Sequence, residues 1–156
     1  MNTVLLDTSV ASLINANKLE TTYSGRYKAY LEGKRLVIGF QTVAELLVWP
    51  EANQWGPRKR DRLYHLIDEF IVVPYSFELA QTGANVSTRC KQQGRRLEAG
   101  DAWIVATALH HKLPLVTHDR DQVGLDIAGL KVVSYLDRQT PEITHSLQAS
   151  VLPTEQ

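Results

Sequence analysis

The sequence predicts an α/β fold in which a five-stranded parallel sheet is covered by helices on both faces. Five short runs rich in apolar and β-branched residues alternate with segments of helical periodicity. Each run is apolar at nearly every position, which is typical of parallel strands that are buried on both faces. The runs are TVLL (3–6), LVIGF (36–40), FIVVP (70–74), LPLVT (113–117) and KVVSY (131–135).

The helical segments between these runs carry recognisable start and stop residues. The segment QTVAELLVW is predicted to form a short helix that ends at Pro50, and Pro57 opens the next helix. Ser76 is expected to cap a further helix. The segment DAWIVATALHH is apolar on nearly every side, so we expect this helix to be buried between the sheet and its neighbours.

Length and composition indicate one domain over residues 1–137 and a polar C-terminal tail over residues 138–156. The 17 basic residues balance the 17 acidic ones, so a surface that binds nucleic acid would require the basic residues to cluster on one side of the protein.

The single cysteine, Cys90, excludes an intramolecular disulfide and fits a reducing compartment. No apolar run approaches the roughly 20 residues of a membrane span. We therefore expect a cytoplasmic protein without a membrane partner.

Four acidic residues are predicted to lie at one edge of the sheet. Asp7 follows the first strand and Asp119 follows the fourth. Open parallel sheets bind ligands beyond the carboxyl ends of their strands, where the strand order reverses. If the first and fourth strands are neighbours, these two acids face each other. Glu45 and Asp101, near the starts of two helices, are expected to join them.

Each of these acids also fits a purely local role, and the sequence leaves these alternatives open. Asp and Ser strongly favour helix caps and turns. An acid that only caps a helix or closes a turn needs no further function. The local roles are Thr42 with Glu45 in a capping box, Asp101 at a helix cap, Asp7 with Ser9 in a side-chain turn, and Asp119 with Asp121 in a turn.

Four carboxylates held close together would repel one another and raise one another's pKa. A divalent cation relieves this repulsion, and a ligand set made only of oxygen atoms favours Mg²⁺ or Mn²⁺. Such an ion can activate a water molecule for attack on phosphorus. The acids therefore point to phosphodiester hydrolysis.

Four segments resemble, in order and spacing, the acidic motifs of PIN-domain nucleases and, within that family, of VapC toxins. They are LLDTSV, TVAEL, GDAWIVATAL and LVTHD. The resemblance implies a PIN-like three-layer α/β/α sandwich and an endoribonuclease that cuts single-stranded loops of tRNA or rRNA. It also implies a VapB-like antitoxin as partner and a homodimer. The implied Mg²⁺ or Mn²⁺ pocket consists of Asp7, Glu45, Asp101 and Asp119, with Ser9 or Thr8 steadying it by hydrogen bonds.

Two features depart from the family pattern or leave it ambiguous. Family members often carry an aromatic residue shortly after the fourth motif, whereas this chain reads RDQVG. Asp121 therefore shares or replaces the role given to Asp119. Glu98 lies three residues before Asp101, where it is either an accessory acid or a favourable charge at the helix N-terminus.

RNA must approach this acidic pocket, so basic residues are expected near it. We favour Lys91, Arg95 and Arg96, which directly precede the acidic helix. The other basic run, GPRKRDR (56–62), is interpreted as a solvated helix face. The rival hypothesis is a non-catalytic RNA- or protein-binding module that keeps the acidic metal pocket for regulation.

Overall fold

Five parallel strands form the centre of the fold, as the sequence predicts. The structure is a computed structural model that describes residues 2–136. The strand order is β3-β2-β1-β4-β5, and every neighbouring pair is parallel. All five strands fall on the predicted runs. Their bounds are β1 (Thr3–Leu6), β2 (Arg35–Gly39), β3 (Ile71–Val73), β4 (Leu115–Val116) and β5 (Val132–Val133).

Helices cover both faces of this sheet, which confirms the α/β/α architecture. Side chains alternate between the two faces along a strand, so Leu5 and Leu6 belong to separate apolar clusters. The helices are α1 (Thr8–Asn15), α2 (Arg26–Leu31), α3 (Phe40–Ala52), α4 (Pro57–Glu69), α5 (Phe77–Gln92), α6 (Ala99–His111) and α7 (Arg120–Val123). Helices α1 and α4 contribute to the cluster that contains Leu6, and α5 and α6 contribute to the other.

The predicted end of the third helix is wrong, because α3 continues through Pro50 to Ala52. Proline removes one backbone donor and is disfavoured inside a helix. Pro50 lies within the last turn of α3, so only two residues of the helix follow it. The Pro50 carbonyl accepts hydrogen bonds from Trp55 N at 3.0 Å and Arg60 Nη2 at 2.9 Å. These two donors satisfy the carbonyl beyond the point where the helix was expected to stop.

Other predictions concern the core and the chain ends. Cys90 is fully buried in the apolar cluster under α5 and α6. No helix within residues 2–136 is long and apolar enough to cross a membrane. The predicted tail, residues 138–156, and the boundary at residue 137 lie outside the described residues.

Candidate active site

The sheet brings the first and fourth motifs together, because β1 and β4 are neighbours. Leu6 pairs with Val116, and the backbone N–H of Asp7 donates to the Val116 carbonyl at 3.1 Å. Strand order reverses between these two strands, since β2 and β3 lie on one side and β5 on the other. The carboxyl ends of β1 and β4 thus form the crevice that the sequence predicts.

Asp7 is the most deeply buried of the acids, with 2% of its surface exposed. Its Oδ1 accepts hydrogen bonds from Ser9 Oγ at 2.5 Å and Val10 N at 3.0 Å, and its Oδ2 accepts one from Thr117 Oγ1. Burial raises the pKa of Asp7 to about 6 in spite of these hydrogen bonds, with a smaller contribution from the charge of Asp119. Ionised Asp7 is therefore a group that a nearby cation would stabilise.

Asp7 and Asp119 each combine a local role with a position at the site. Asp7 is the N-cap of α1, as its bond from Val10 shows. Asp119 is the N-cap of α7, where its Oδ1 accepts from Asp121 N at 2.9 Å. The Asp119 N–H donates to Thr117 Oγ1 at 3.0 Å, and the same hydroxyl donates to Asp7. Thr117 thereby couples the two acidic loops.

The local alternatives for the other two acids are wrong. Helix α3 begins after Gly39, so Thr42 is not its N-cap and Glu45 is not the fourth residue of a capping box. Thr42 is buried and its hydroxyl accepts from Thr8 Oγ1 at 3.2 Å. Asp101 lies inside the first turn of α6, so it does not occupy the cap position either.

Glu98 occupies that cap position, makes no capping hydrogen bond with its side chain and is exposed. It does not line the cleft described below. The structure thus places it beside the start of α6 and outside the acidic cleft.

Two glutamines orient Asp101 and Glu45. Gln122 Nε2 donates to Asp101 Oδ1 at 3.0 Å, and Gln41 Nε2 donates to Glu45 Oε1 at 3.0 Å. Burial raises the pKa of Asp101, and the charges of nearby acids raise it further. Those acids are Asp119, Glu45 and Asp121. Burial is the main cause of this shift, and the smaller charge contribution comes from acids in separate parts of the chain that lie near Asp101.

All four predicted acids line one cleft of about 210 Å³, together with Thr8 and Ser9. Asp121 does not line it and is exposed. However, one carboxylate oxygen each from Asp101, Asp119 and Asp121 lies within 4.8 Å of the other two. Both Asp119 and Asp121 therefore have a carboxylate oxygen near Asp101, but only Asp119 lines the cleft.

The donor chemistry of the cleft fits a hard divalent cation. Its lining contains four carboxylates and several hydroxyls, and no histidine or cysteine. Carboxylate oxygens are the ligands that Mg²⁺ and Mn²⁺ prefer, whereas Zn²⁺ sites draw on nitrogen and sulfur. The charges of Asp119, Glu45 and Asp121 also contribute to the raised pKa of Asp101. A bound cation would offset this repulsion.

The three basic residues favoured for RNA binding do not line the acidic cleft. Lys91, Arg95 and Arg96 line a separate depression of about 470 Å³, which shares no lining residue with the acidic cleft. Arg95 donates to the backbone carbonyls of Asp121, at 3.0 Å, and of Gly124. Its guanidinium therefore supports the loop that carries the fourth acid. A role for these residues in RNA binding stays a prediction.

Sequence reasoning missed three residues that shape the site. Thr117 directly follows β4 and lies beside Asp7, and a hydroxyl residue at the end of a predicted strand was the available signal. Gln122 is 1% exposed and comes from a one-turn helix, for which the sequence offered no signal. A Cβ atom at Gly100 would lie 2.9 Å from Gln41 Nε2 and 3.3 Å from Glu45 Oε1. Glycine at this position permits the close approach of α6 to α3.

Comparison with known proteins identifies the family. The family model of the PIN domain matches residues 4–127, so the chain belongs to the PIN-domain family. Ribonuclease VapC5 of Mycobacterium tuberculosis is 29% identical over 125 residues, which cover 78% of this chain and 93% of that protein. The resemblance noted in the motifs is thereby confirmed.

Solved structures give the same fold. The DNA-bound VapBC of Salmonella typhimurium aligns with a TM-score of 0.72 at 21% identity, over 86% of this chain and 98% of the other. VapBC-5 of Mycobacterium tuberculosis, a member of the VapBC family of toxin–antitoxin systems, aligns with a TM-score of 0.64 at 24% identity. That alignment covers 86% of this chain and 100% of the other. At these identities the likeness establishes the fold.

Proposed function

We propose that the protein is a Mg²⁺- or Mn²⁺-dependent endoribonuclease that acts as the toxin of a VapBC-type toxin–antitoxin pair. The observation that carries this proposal is the convergence of four carboxylates, from α3, α6 and the ends of two neighbouring strands, on one small cleft. The likeness to a protein named Ribonuclease VapC5 supports the reaction class.

In this proposal Asp7, Asp101 and Asp119 hold the cation together with Glu45, and Asp121 is an accessory acid. When bound, the cation supplies an activated water and neutralises charge on the phosphate oxygens. Hydrogen bonds from the protein keep the carboxylates in position, since Ser9 and Thr117 hold Asp7, and Gln122 holds Asp101. Thr8 bonds to Thr42 and thereby ties the start of α1 to α3.

The proposed substrate is a single-stranded loop of a structured RNA such as tRNA or rRNA. A cleft of about 210 Å³ between helices is narrow beside a duplex. An unpaired strand can bend so that its backbone enters the cleft, and its phosphates can meet basic residues nearby. Lys91, Arg95 and Arg96 remain candidates for such contacts.

The test is cleavage of an RNA hairpin whose loop is unpaired, with a fully paired RNA as comparison. The purified protein is expected to cut the loop in Mn²⁺ or Mg²⁺ and to be inactive in EDTA. Asp101→Asn should reduce the rate by more than about 100-fold, because it removes a proposed ligand. Asp126→Asn is the matched control, since Asp126 is exposed and lies outside the cleft.

Cleavage that survives EDTA would contradict the metal-dependent mechanism. RNA binding without cleavage of a broad panel of tRNA and rRNA in either metal would favour the rival hypothesis, a binding module with a regulatory metal pocket.

We further propose that the chain forms a homodimer, binds a VapB-like antitoxin and functions in the cytoplasm. Large apolar side chains are exposed around the edge strand β3 and the helices beside it, and such patches often mark protein interfaces. They are Phe40, Val48, Ile71, Val72, Tyr75 and Phe77. Light scattering of the purified chain should give the mass of a dimer. Co-expression with the product of an adjacent small gene should give a stable complex without RNase activity.

A further inference from the structure

A second depression, of about 460 Å³, adjoins the acidic cleft. It lies between the C-terminal half of α1, the end of α3 and the start of α4. Ser12 and Trp49 line both the depression and the cleft, so the two are adjacent. We call the depression the tryptophan groove, because Trp49 and Trp55 both line it.

The tryptophan groove is basic. Lys18, Lys59 and Arg62 line it, are exposed, and make no ion pair with any residue from 2 to 136. The Nζ of Lys59 lies 4.5 Å from the centre of the Trp55 ring, so a cation and an aromatic surface are held together. The neighbouring Arg60 differs, because it is bound to Glu51 and to two backbone carbonyls.

An unsatisfied acceptor also lies in the tryptophan groove. Asn15 lines it, and the Asn15 Oδ1 atom is buried without a hydrogen-bond partner in the described part of the chain. Buried polar atoms are paired in most native structures, so an unpaired one indicates a missing donor. That donor is either an ordered water molecule or a ligand N–H or O–H group that reaches this atom.

We propose that the tryptophan groove binds the unpaired RNA strand that leads to the acidic cleft. This inference rests on the proposed ribonuclease activity and assigns the substrate path. Lys59 and Arg62 contact phosphates, the indoles of Trp49 and Trp55 provide surface on which bases stack, and Asn15 accepts a hydrogen bond from a base or a ribose hydroxyl.

Electrostatics favours this occupant. The acids of the cleft repel phosphates, and the net charge of the chain is zero, so cations close to the cleft must attract the strand. The groove supplies three such cations next to the cleft. In this proposal Lys59 and Arg62 of the solvated GPRKRDR segment contact RNA.

The test measures binding of a fluorescein-labelled, unstructured RNA of about eight nucleotides by anisotropy. EDTA is present, so cleavage does not interfere. The Lys59→Ala/Arg62→Ala variant is expected to weaken binding by at least about 10-fold and to reduce the slope of log K against log salt by about 1.4. Trp55→Leu is expected to weaken binding by about 10-fold and to leave that slope unchanged.

The matched control is Arg35→Ala/Lys131→Ala. These exposed residues lie at the amino ends of β2 and β5, at the opposite edge of the sheet, and their replacement removes the same charge. We expect less than about a two-fold change in affinity. Equal weakening by both double variants, or no weakening by Lys59→Ala/Arg62→Ala, overturns the proposal. Circular dichroism melting checks that each variant is folded.

Cleavage assays separate this inference from the proposed function. If the groove variants lose RNA affinity but wild type never cuts RNA in Mn²⁺, the groove stands as an RNA site and the ribonuclease proposal fails. If wild type cuts RNA while Lys59→Ala/Arg62→Ala keeps its RNA affinity and KM, the ribonuclease stands and the groove proposal fails. Loss of antitoxin binding with unchanged RNA affinity would likewise overturn it, because the groove would then be a protein interface.

Discussion

Replacing Asp7 with asparagine is expected to stabilise the metal-free protein at neutral pH. Asp7 is 2% exposed, and burial raises its pKa from 3.8 to about 6. A carboxyl group with a raised pKa in the folded state contributes stability at low pH that is lost as the pH rises through the folded-state value. The shift corresponds to about 3 kcal/mol at 1.36 kcal/mol per pKa unit.

Part of that gain is offset in the variant. The hydroxyl of Thr117 now donates to Asp7 Oδ2 and must find another arrangement when an amide replaces the carboxylate. A rearranged hydrogen bond costs about 1 kcal/mol. We therefore expect Asp7→Asn to raise the free energy of unfolding by about 2 kcal/mol at pH 8 in EDTA.

Urea unfolding in EDTA, followed by circular dichroism between about pH 4 and pH 8, measures this difference. The advantage of Asp7→Asn over wild type should grow through about pH 4 to 6 and then level off. Asp126→Asn, an exposed acid outside the cleft, should show no such growth. A pH-independent difference, or a variant less stable than wild type at pH 8, would refute the reasoning.

Three further predictions follow from the same contacts. Mn²⁺ at 100 times its Kd should raise the free energy of unfolding of wild type by about 2.7 kcal/mol. The same Mn²⁺ concentration should raise the free energy of unfolding of Asp101→Asn far less. Equal stabilisation of both proteins in urea titrations would contradict a metal site at Asp101. Gln122→Leu removes the hydrogen-bond donor to Asp101 and should weaken Mn²⁺ binding about 10-fold or more in calorimetry. Gln122→Glu should not restore the Mn²⁺ affinity, since a carboxylate donates no hydrogen bond. Unchanged Mn²⁺ affinity in Gln122→Leu would refute the positioning role of Gln122. Gly100→Ala places a methyl group against the amide of Gln41 and the carboxylate of Glu45. It should lower the cleavage rate about 10-fold, while the melting temperature stays within a few degrees of wild type. An unchanged cleavage rate would show that the side chains of Gln41 and Glu45 move aside freely.

The sheet could be predicted because its strands are continuous apolar runs of the length that parallel strands require. Each observed strand lies on its predicted run. The sequence left open whether β1 and β4 are neighbours, and the structure shows that they are. The end of α3 could not be predicted, because the donors that satisfy the Pro50 carbonyl come from Trp55 and Arg60, further along the chain.

The acidic residues could be predicted as a group, but the choice between local and shared roles could not. Asp7 caps α1 and also lines the cleft, so the two interpretations were never exclusive. Asp101 lines the cleft without a capping role, because α6 starts early enough to place it inside the first turn. The bond from Gln122 to Asp101 joins residues 21 positions apart and arises only from tertiary packing.

The basic residues show the limit of reasoning from sequence proximity. Arg95 and Arg96 directly precede the acidic helix, yet they line a depression apart from the cleft. Lys59 and Arg62 are distant from Asp101 in sequence, yet their groove shares Trp49 with the cleft. Proximity along the chain and proximity in the fold differ here because Ser12 of α1 and Trp49 of α3 line both the groove and the cleft, whereas no residue lines both the depression at Arg95 and the cleft.

Anomalous diffraction at the manganese edge, from crystals soaked in MnCl₂, tests most directly whether the converging acids hold a cation. We predict a peak within the cleft, in contact with carboxylate oxygens of Asp101 and Asp119, and no peak there in crystals of Asp101→Asn. A fully soaked wild-type crystal with no peak in the cleft, or with manganese bound only on another surface, would contradict the proposal that these carboxylates form a metal centre.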